Sequence, residues 1–382
     1  MRIGKLVVPV ALLALVAAMF LAVEPAWADR LADAIQEGVA AGKVDPAAEP
    51  GYLGIPGAPS INLILAFAWA IWVGWIFSTV GAFGGVMAGV GHITVFGLGN
   101  YGKSFGKGAT LNKMVTDSIR VSNQFLVGTS ALISSWNYYR MGRLVLPLAI
   151  ALAIGSIAGS WLIPALTAGK ISFSQYQGWF GVFVLGLGVF LFYQTTPAGS
   201  KSQKKAKEAA KAFQDSVKKQ KEGGQVDLAA QGVKVVSFNP TRVVFTFFGV
   251  EFSFNPILPI LGGFVIAAVA AFLGVGGGFL LVPYLTSVAG LPMYLVAGTS
   301  ALAVLIGMIT SILSYLTQGA LVDWGLVGLE IVGIVIGSVI GPKTSKYIPD
   351  RWLKIIFIIL AFYVGLRYIG RGFDIGFLKI IP

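Results

Sequence analysis

Cysteine is absent from this sequence of 382 residues, and histidine occurs once. Without cysteine the chain can form no disulfide bond, thiolate metal site or thiol redox centre of its own. A single histidine rules out the paired histidines of the zinc-protease motif. The sequence also lacks the GxSxG elbow that carries the nucleophile of many hydrolases. We therefore expect no metal, no cofactor and no enzymatic activity.

Charged residues are scarce as well, at 12% of the chain, whereas 56% of the residues are hydrophobic. A water-soluble surface of ordinary charge density cannot be built from this composition. The formal net charge is +12, but the lysines concentrate in connecting segments and one linker. Anionic lipid headgroups are the expected counter-charge, and nucleic acid is not an expected partner. The composition predicts a multi-pass protein of the cell (inner) membrane.

Long apolar runs are abundant in the sequence. A membrane-spanning helix needs about 20 mostly apolar residues. Eight stretches approach that length, in two sets of four: Ile61–Gly91, Val121–Tyr139, Leu144–Leu166, Gly178–Tyr193, Pro259–Leu285, Met293–Leu316, Trp324–Ile340 and Trp352–Tyr368. The predicted fold class is all-α, a polytopic membrane protein with about eight spans.

Composition divides the chain into five segments. Arg2 and Lys5 precede an apolar run, and Ala26-Trp27-Ala28 fits the small-residue rule for signal cleavage. The run is either a signal peptide or a retained anchor helix, and the segment after it is expected outside the cytoplasm. The predicted order is 1–28 signal or anchor, 29–60 extracytoplasmic segment, 61–194 first membrane repeat, 195–256 Lys-rich linker and 257–382 second membrane repeat.

The linker has two parts. Lys201–Lys221 is a Lys-rich run typical of a helix. After it, apolar and polar residues alternate around an Asn239-Pro240 turn signal, which predicts a short β-ribbon.

An internal repeat predicts that the two sets of four segments are related. Gly128-Thr129-Ser130-Ala131-Leu132 occurs again as Gly298-Thr299-Ser300-Ala301-Leu302. Upstream of each copy is a glycine-interrupted apolar segment, and downstream of each is a Gly-Ser-x-x-Gly stripe. The glycine interruptions are Gly89-Val90-Gly91 and Gly274-Val275-Gly276-Gly277-Gly278, and the stripes are Gly155–Gly159 and Gly337–Gly341.

Eight full spans predict an orientation for the short basic loops. By the positive-inside rule these loops lie in the cytoplasm, and the same count places the linker outside. Their basic residues are Lys103, Lys107, Lys113, Arg120, Lys343, Lys346, Arg351 and Lys354. A glycine segment that re-enters the membrane instead of spanning it would reverse part of this arrangement.

The second half resembles the TauE/SafE family of membrane permeases. The resemblance rests on Gly274–Pro283, on Ala297–Ser300 and on Gly319–Trp324, and it extends more weakly over the first half. There His92 and Ile93 stand where further glycines are usual. The resemblance implies a permease that exports sulfite or an organosulfur anion.

The glycine interruptions are the candidate binding sites. Each glycine costs a helix about 1 kcal/mol relative to alanine, so the segment is expected to break inside the membrane. Freed amides and the start of the next half-helix would then face an anion. Close helix packing without a ligand is the alternative. The candidate residues are Gly89, Gly91, Gly274, Gly276, Gly277 and Gly278.

Hydroxyl groups follow each interruption, in Thr129-Ser130 and Thr299-Ser300. They can donate to a solute oxyanion. In lipid such hydroxyls commonly bond back to a helical carbonyl instead. Asn123 and Gln124, near the start of a segment, are plausible vestibule groups, although polar residues near helix ends are usually interfacial.

Two ionisable residues are candidates for proton coupling. His92 directly follows Gly91 and can contact an anion or carry a proton near neutral pH. Glu330 lies about seven residues into the seventh segment, where an ionised carboxylate is costly without a partner. The alternatives are that His92 has only a structural role and that Glu330 lies near a helix end exposed to water.

These features predict a secondary transporter, and by resemblance an exporter, of a small anion such as sulfite or an organosulfur or carboxylate anion. Alternating access between the halves would move the solute. An anion channel, or a membrane scaffold that recruits a partner through the basic linker, is the alternative. The expected partners are the solute and the lipid bilayer. The sequence leaves open whether the protein forms a homo-oligomer.

Overall fold

The fold was analysed in a computed structural model of the chain, which describes residues 25–80, 84–196, 204–221, 230–285, 289–344 and 350–378. Residues 1–24, which carry most of the predicted signal or anchor, lie outside the described residues. The helices are α1 (Pro25–Ala40), α2 (Leu63–Val80), α3 (Gly84–Val90), α4 (Leu98–Ser104), α5 (Thr110–Arg140), α6 (Leu146–Thr167), α7 (Phe173–Thr195), α8 (Lys204–Lys221), α9 (Ile257–Leu273), α10 (Gly278–Pro283), α11 (Met293–Thr317), α12 (Trp324–Thr344) and α13 (Asp350–Gly372). A π-helical turn, Gly91–Val95, continues α3.

Four helices in the described part are long and apolar enough to cross a membrane: Leu146–Thr167, Phe173–Tyr193, Leu295–Thr317 and Trp324–Gly341. Their outward faces are apolar too. On α6, Ile150, Ile154, Ile157 and Trp161 recur at helical spacing and are each about half exposed. A contiguous apolar face of this kind is unfavourable in water and suits hydrocarbon.

The first predicted span, over residues 61–91, is instead a helical hairpin. The Trp69 indole Nε1–H donates to the Met87 carbonyl at 3.0 Å, and Gly84 packs against Val73 and Phe77. In one continuous helix, residues 73 and 84 would lie about 16 Å apart. The segment after α2 therefore folds back along α2.

The fifth predicted span, over residues 259–285, folds back in the same way. Gly277 packs against Ile266 and Ala270, and Gly262 packs against the ring of Tyr284. As residue numbers rise along one segment, those of their contact partners fall, which is characteristic of antiparallel packing. Each half of the chain thus opens with a hairpin and not with a full span.

The bundle has two distinguishable ends. At one end, α5 contacts the N-terminal segment, where Thr110 donates to Glu37, and the Leu53 N–H donates to Asp323 just before α12. We call this the N-segment end. At the opposite end the linker amide of Val233 donates to the Gly142 carbonyl, and we call this the linker end.

Three helices of each half run between the two ends, and each hairpin returns to the end at which it begins. The first half therefore starts at the N-segment end and finishes at the linker end, and the second half runs the other way. The predicted orientation of the loops is wrong for this reason: Lys103 lies at the N-segment end, beside the Arg371 carbonyl. Helix α12 starts at the N-segment end and runs toward the linker end, so basic residues predicted to share one side lie toward opposite ends.

Arg120 was predicted to lie in a loop and lies inside α5. That helix begins at Thr110, eleven residues before the predicted segment, and its polar first half is buried. Polar residues in this stretch lowered its apparent hydropathy, so the pattern placed the start of the helix too late.

Helix pairing across the halves is reciprocal. Helix α12 packs on α2, and α6 packs on α9. Both contacts run over the Gly-Ser-x-x-Gly stripes: a Cβ on Gly337 would overlap the Ile71 carbonyl, and a Cβ on Gly155 would overlap the Ile260 carbonyl. Small residues let the helix backbones touch, as is common between helices in lipid.

The linker carries a small antiparallel sheet in the stretch where the sequence alternates. Its strands, β1 (Lys234–Phe238), β2 (Val243–Phe247) and β3 (Val250–Phe254), pair in the order β1-β2-β3. Helix α8 packs on it through Phe213, which lies against Phe247 and Phe248.

Replacing Gly337 by alanine tests the glycine contact. We expect Gly337→Ala to lower the free energy of unfolding by about 1–3 kcal/mol, because the new methyl group meets backbone that cannot move aside. Thermal unfolding of the purified protein in detergent measures the effect. Gly328→Ala on the same helix is the control, since a Cβ there meets nothing within 4 Å. Equal melting temperatures for the two variants would contradict the packing argument.

Candidate functional site

The predicted interruption at Gly89 and Gly91 is not where the first hairpin turns. Both glycines lie in the continuous helical segment formed by α3 and its π-turn. Their lack of a side chain is used for packing: a Cβ on Gly89 would meet the Phe180 ring, and one on Gly91 would meet the Trp69 indole. The low helix propensity of glycine suggested a break, and tertiary contacts override it here.

The second interruption lies where the sequence predicts it. Helix α9 ends at Gly274, and both Gly274 and Gly276 have positive φ values, 67° and 66°. Such values are strained for other residues. Gly277 and Gly278 start α10, and a Cβ on Gly276 would overlap Val127. The turn is thus held by backbone geometry and by close packing together.

Side chains of both halves cap the end of α9 inside the bundle. The Arg120 Nε–H donates to the Phe272 carbonyl at 2.8 Å, the Tyr176 hydroxyl to the Leu273 carbonyl at 2.9 Å and the Tyr315 hydroxyl to the Ala271 carbonyl at 3.2 Å. These are last-turn carbonyls, which have no partner within the helix. Sequence reasoning missed this arrangement, because nothing in the pattern shows which helix end is buried.

The four predicted hydroxyls are all engaged within the protein. Thr129 donates to the Phe125 carbonyl, and Ser300 donates to the Ala297 carbonyl. Ser130 and Ser338 share a hydrogen bond of 2.7 Å between their hydroxyls, and the Thr299 hydroxyl accepts the Val145 N–H. The GTSAL copies do not occupy matching surroundings: Gly128 lies beside Met308, whereas Gly298 lies against Tyr138 and the Arg143 carbonyl.

His92 and Glu330 are brought together, although 238 positions separate them in the chain. The imidazole Nε2 lies 3.2 Å from Glu330 Oε2, and the imidazole Nδ1 lies 2.6 Å from Asn123 Oδ1. All three side chains are fully buried. The π-turn widens the helix at His92 and turns the ring toward α5 and α12.

The geometry constrains the protons of this cluster. Asn123 Oδ1 only accepts, so His92 Nδ1 carries the hydrogen in this arrangement. A lone pair on Nε2 would then face a carboxylate oxygen unless a proton lies on one of the two. The His92–Glu330 pair therefore holds one proton between its members, either as imidazolium and carboxylate or as imidazole and carboxylic acid.

Unpaired polar atoms surround the pair. Beside the His92 Nε2–Glu330 Oε2 contact, Glu330 Oε1, Asn123 Nδ2 and Ser122 Oγ are buried without a hydrogen-bond partner among the described residues. Buried groups of this kind are rare, and each calls for a ligand, a proton or water. In the described part no group of three or more His, Asp or Glu side chains is placed to hold a metal ion. The chemistry available is hydrogen-bond donation and proton exchange.

Asn123 is the member of the cluster whose role sequence reasoning missed. It was predicted to be a vestibule or an interfacial group because it lies near the predicted start of a segment, and it is fully buried because α5 begins eleven residues earlier. Its polar neighbours Arg120, Ser122 and Gln124 were the available signal.

Gly97–Ser104 spells the phosphate-loop pattern GxxxxGK[ST] and does not fold as one. That loop requires a strand before it and a helix after it. Here a π-turn precedes the segment, and Leu98–Ser104 is itself a short helix. Lys103 donates to the Arg371 carbonyl. The segment joins the first hairpin to α5 and has no phosphate-loop geometry.

Comparison with known proteins places this arrangement in a family. The sequence profile described as "Sulfite exporter TauE/SafE" matches residues 66–368. A "Probable membrane transporter protein" of Xylella fastidiosa (strain 9a5c) is 38% identical over 107 residues, which are 26% of this chain and 40% of that protein. "Sulfite exporter TauE/SafE family protein 5" of Arabidopsis thaliana is 30% identical over 110 residues, 28% of this chain and 24% of that protein.

The aligned parts thus span less than half the length of these curated relatives, and no solved structure matches the chain. The profile, in contrast, covers both hairpins and the six helices that follow them. The cluster of His92, Asn123 and Glu330 lies within the matched range. The chain belongs to the TauE/SafE family of membrane transporters.

Proposed function

We propose that this chain is a secondary transporter that exports a small anion, with sulfite or an organosulfur or carboxylate anion as the solute. The buried His92–Glu330 pair is the single observation that carries the proposal. A charged pair inside an apolar bundle is costly, and in membrane proteins such groups mark ion and proton pathways. Membership of the TauE/SafE family supports sulfite as the first solute to test.

We propose further that the two halves are inverted repeats. The matched contacts support this: Ser156 reaches toward the Gly263 carbonyl and Ser338 toward the Gly74 carbonyl. Inverted repeats that surround a central site are typical of alternating-access transporters. The start of α3 meets the turn of the second hairpin, with Gly85 against the Val275 carbonyl. Rocking of one half against the other would separate them.

The repeat correspondence makes the site asymmetric. Eight residues before Ser338 stands Glu330, and eight residues before Ser156 stands Leu148. Glu330 therefore has an apolar counterpart in the other half. We propose one solute site, centred on His92, in place of two equivalent glycine sites.

Proton and anion bind together at this site in our mechanism. When Glu330 is ionised, it occupies the face of His92 that an anion needs. When a second proton makes Glu330 a carboxylic acid while His92 is an imidazolium, His92 Nε2, Asn123 Nδ2 and Ser122 Oγ can all donate to the solute. A dianion that leaves with one proton carries one net negative charge, so an inside-negative membrane potential drives export.

The inverted halves also give an orientation. The N-segment end carries the segment expected outside the cytoplasm and also Lys103 and Lys107, and the linker end carries Arg140, Arg143 and the Lys-rich linker. Because basic residues lie at both ends, it is the expected export of the N-terminal segment that places the linker end in the cytoplasm. The solute would enter from the linker end and leave at the N-segment end.

Glu330→Gln tests the proton mechanism. In proteoliposomes loaded with sulfite, thiosulfate or sulfoacetate, an inside-negative potential should drive efflux from the wild-type protein, faster as the pH falls. We expect Glu330→Gln to slow efflux about tenfold or more and to remove its pH dependence, because glutamine cannot release a proton. Sulfite itself changes protonation state near neutral pH, whereas sulfoacetate stays fully ionised. A pH dependence seen with sulfoacetate therefore comes from the protein and not from the solute.

Glu251→Gln, on an exposed position of β3, is the matched control and should leave efflux unchanged. Efflux that never saturates with solute would favour a channel. No flux of any of the three anions with wild-type protein would overturn the proposed function.

Single cysteines test the orientation directly, because the chain has none of its own. We expect Asp45→Cys in the N-terminal segment to react with a membrane-impermeant maleimide in intact cells, and Gln214→Cys in α8 to react only after permeabilisation. Both positions are exposed. Reaction of both cysteines from the same side would restore the eight-span arrangement and exclude inverted halves.

A further inference from the structure

The connection between α1 and α2, residues 41–62, contains a turn that is buried although it lies at the N-segment end of the bundle. Within it, Tyr52 is 2% exposed and Ile55 is fully buried. The family profile begins at residue 66, so this segment precedes the shared part of the chain. We call residues 50–56 the strap.

The strap has a compact backbone of its own. The Gly51 amide donates to the Ile55 carbonyl at 3.0 Å, and the Gly54 amide donates to the Gly51 carbonyl at 2.9 Å. Pro50 and Pro56 form an isolated β-bridge across its base. Leu53, at the tip, has a φ of 59°, a left-handed conformation that costs about 1 kcal/mol or more outside glycine. Contacts with the bundle must hold this conformation.

Two hydrogen bonds tie the strap to the helices that flank the His92–Glu330 pair. The Tyr52 hydroxyl lies 2.8 Å from the Ser118 hydroxyl on α5, one turn before Ser122. The Leu53 N–H donates to Asp323 Oδ2 at 3.1 Å. Asp323 in turn accepts the Leu326 N–H and so caps the start of α12. One turn of chain thus bridges the helices that carry Asn123 and Glu330.

The electrostatic surroundings of Tyr52 agree with this position. Burial raises the pKa of its phenol above the usual range, the carboxylates of Asp323 and Glu330 add to the increase, and the Ser118 hydroxyl opposes it. The phenol therefore remains a neutral donor. It lies between the buried pair and the N-segment end.

We propose that the strap is the gate at the N-segment end of the solute path, and that the structure shows it closed by the Tyr52 ring. The proposal rests on the proposed function. Opening requires the two hydrogen bonds to break and the buried Tyr52 and Ile55 to leave the bundle, while the internal bonds of the strap stay intact. The strap would then move as a unit, and the site would face the N-segment end.

The gate is tested by labelling a buried cysteine behind it. In the cysteine-free chain, Ser122→Cys should react slowly with an impermeant thiol reagent applied from the N-segment end. Adding Tyr52→Ala should raise the labelling rate at least tenfold. Tyr52→Phe, which keeps the ring and loses only the hydroxyl, should give an intermediate rate. Equal rates in all three proteins would overturn the gate.

Tyr101→Ala is the matched control, because it removes a half-buried tyrosine from α4 at the same end without touching the strap. It should leave the labelling of Ser122→Cys unchanged. These rates do not depend on transport, so they test the gate even if no anion is moved.

A reversible cross-link keeps the proposal testable if Tyr52→Ala fails to fold. In Tyr52→Cys/Ser118→Cys, a short bifunctional thiosulfonate replaces the phenol as the bridge. We expect sulfoacetate efflux to stop on cross-linking and to return on reduction; sulfite is not used here because it cleaves disulfide bonds. Efflux that continues through the closed cross-link would exclude the strap as a gate, and absence of efflux before cross-linking would instead count against the proposed function.

Discussion

The structure depends on one constraint: a backbone that turns inside an apolar bundle must satisfy its polar groups without water. Each half turns back on itself in a hairpin. The last carbonyl groups of α9 lie inside the bundle and have no hydrogen-bond partner within the helix. Arg120, Tyr176 and Tyr315 supply the missing donors. Asp117 balances the charge of Arg120 at 2.9 Å. A buried ion pair of this kind is retained because loss of either partner leaves an uncompensated charge.

The hairpins explain why the polar cluster lies where it does. By folding back along α2, α3 places its π-turn between α5 and α12, so that His92 meets Asn123 and Glu330 at mid-bundle. If residues 61–92 formed one straight helix, His92 would lie beyond the C-terminal end of α2, away from Asn123 and Glu330. The hairpins also leave three helices of each half that run between the two ends of the bundle. The two halves therefore run in opposite directions, which supports the alternating access proposed above.

Glycine has two different uses in this chain. In the stripes of α6 and α12 it permits backbone contact between straight helices, and in the second hairpin it permits positive φ at Gly274 and Gly276. Sequence patterns do not separate these uses, because both present closely spaced glycines in apolar surroundings. Gly89 and Gly91 were therefore read as a break and are packing residues, whereas Gly274 was read correctly.

The sequence by itself determined the membrane class, the family and the candidates His92 and Glu330, because hydropathy, local motifs and an ionisable group in an apolar run are properties of short stretches. Only the tertiary structure decided that the two side chains meet, that Asn123 completes the cluster and that the Tyr52 hydroxyl contacts Ser118 on α5. These contacts join residues that are remote in sequence. They follow from the direction in which each hairpin folds back, and that direction is set by long-range packing, which no local pattern records.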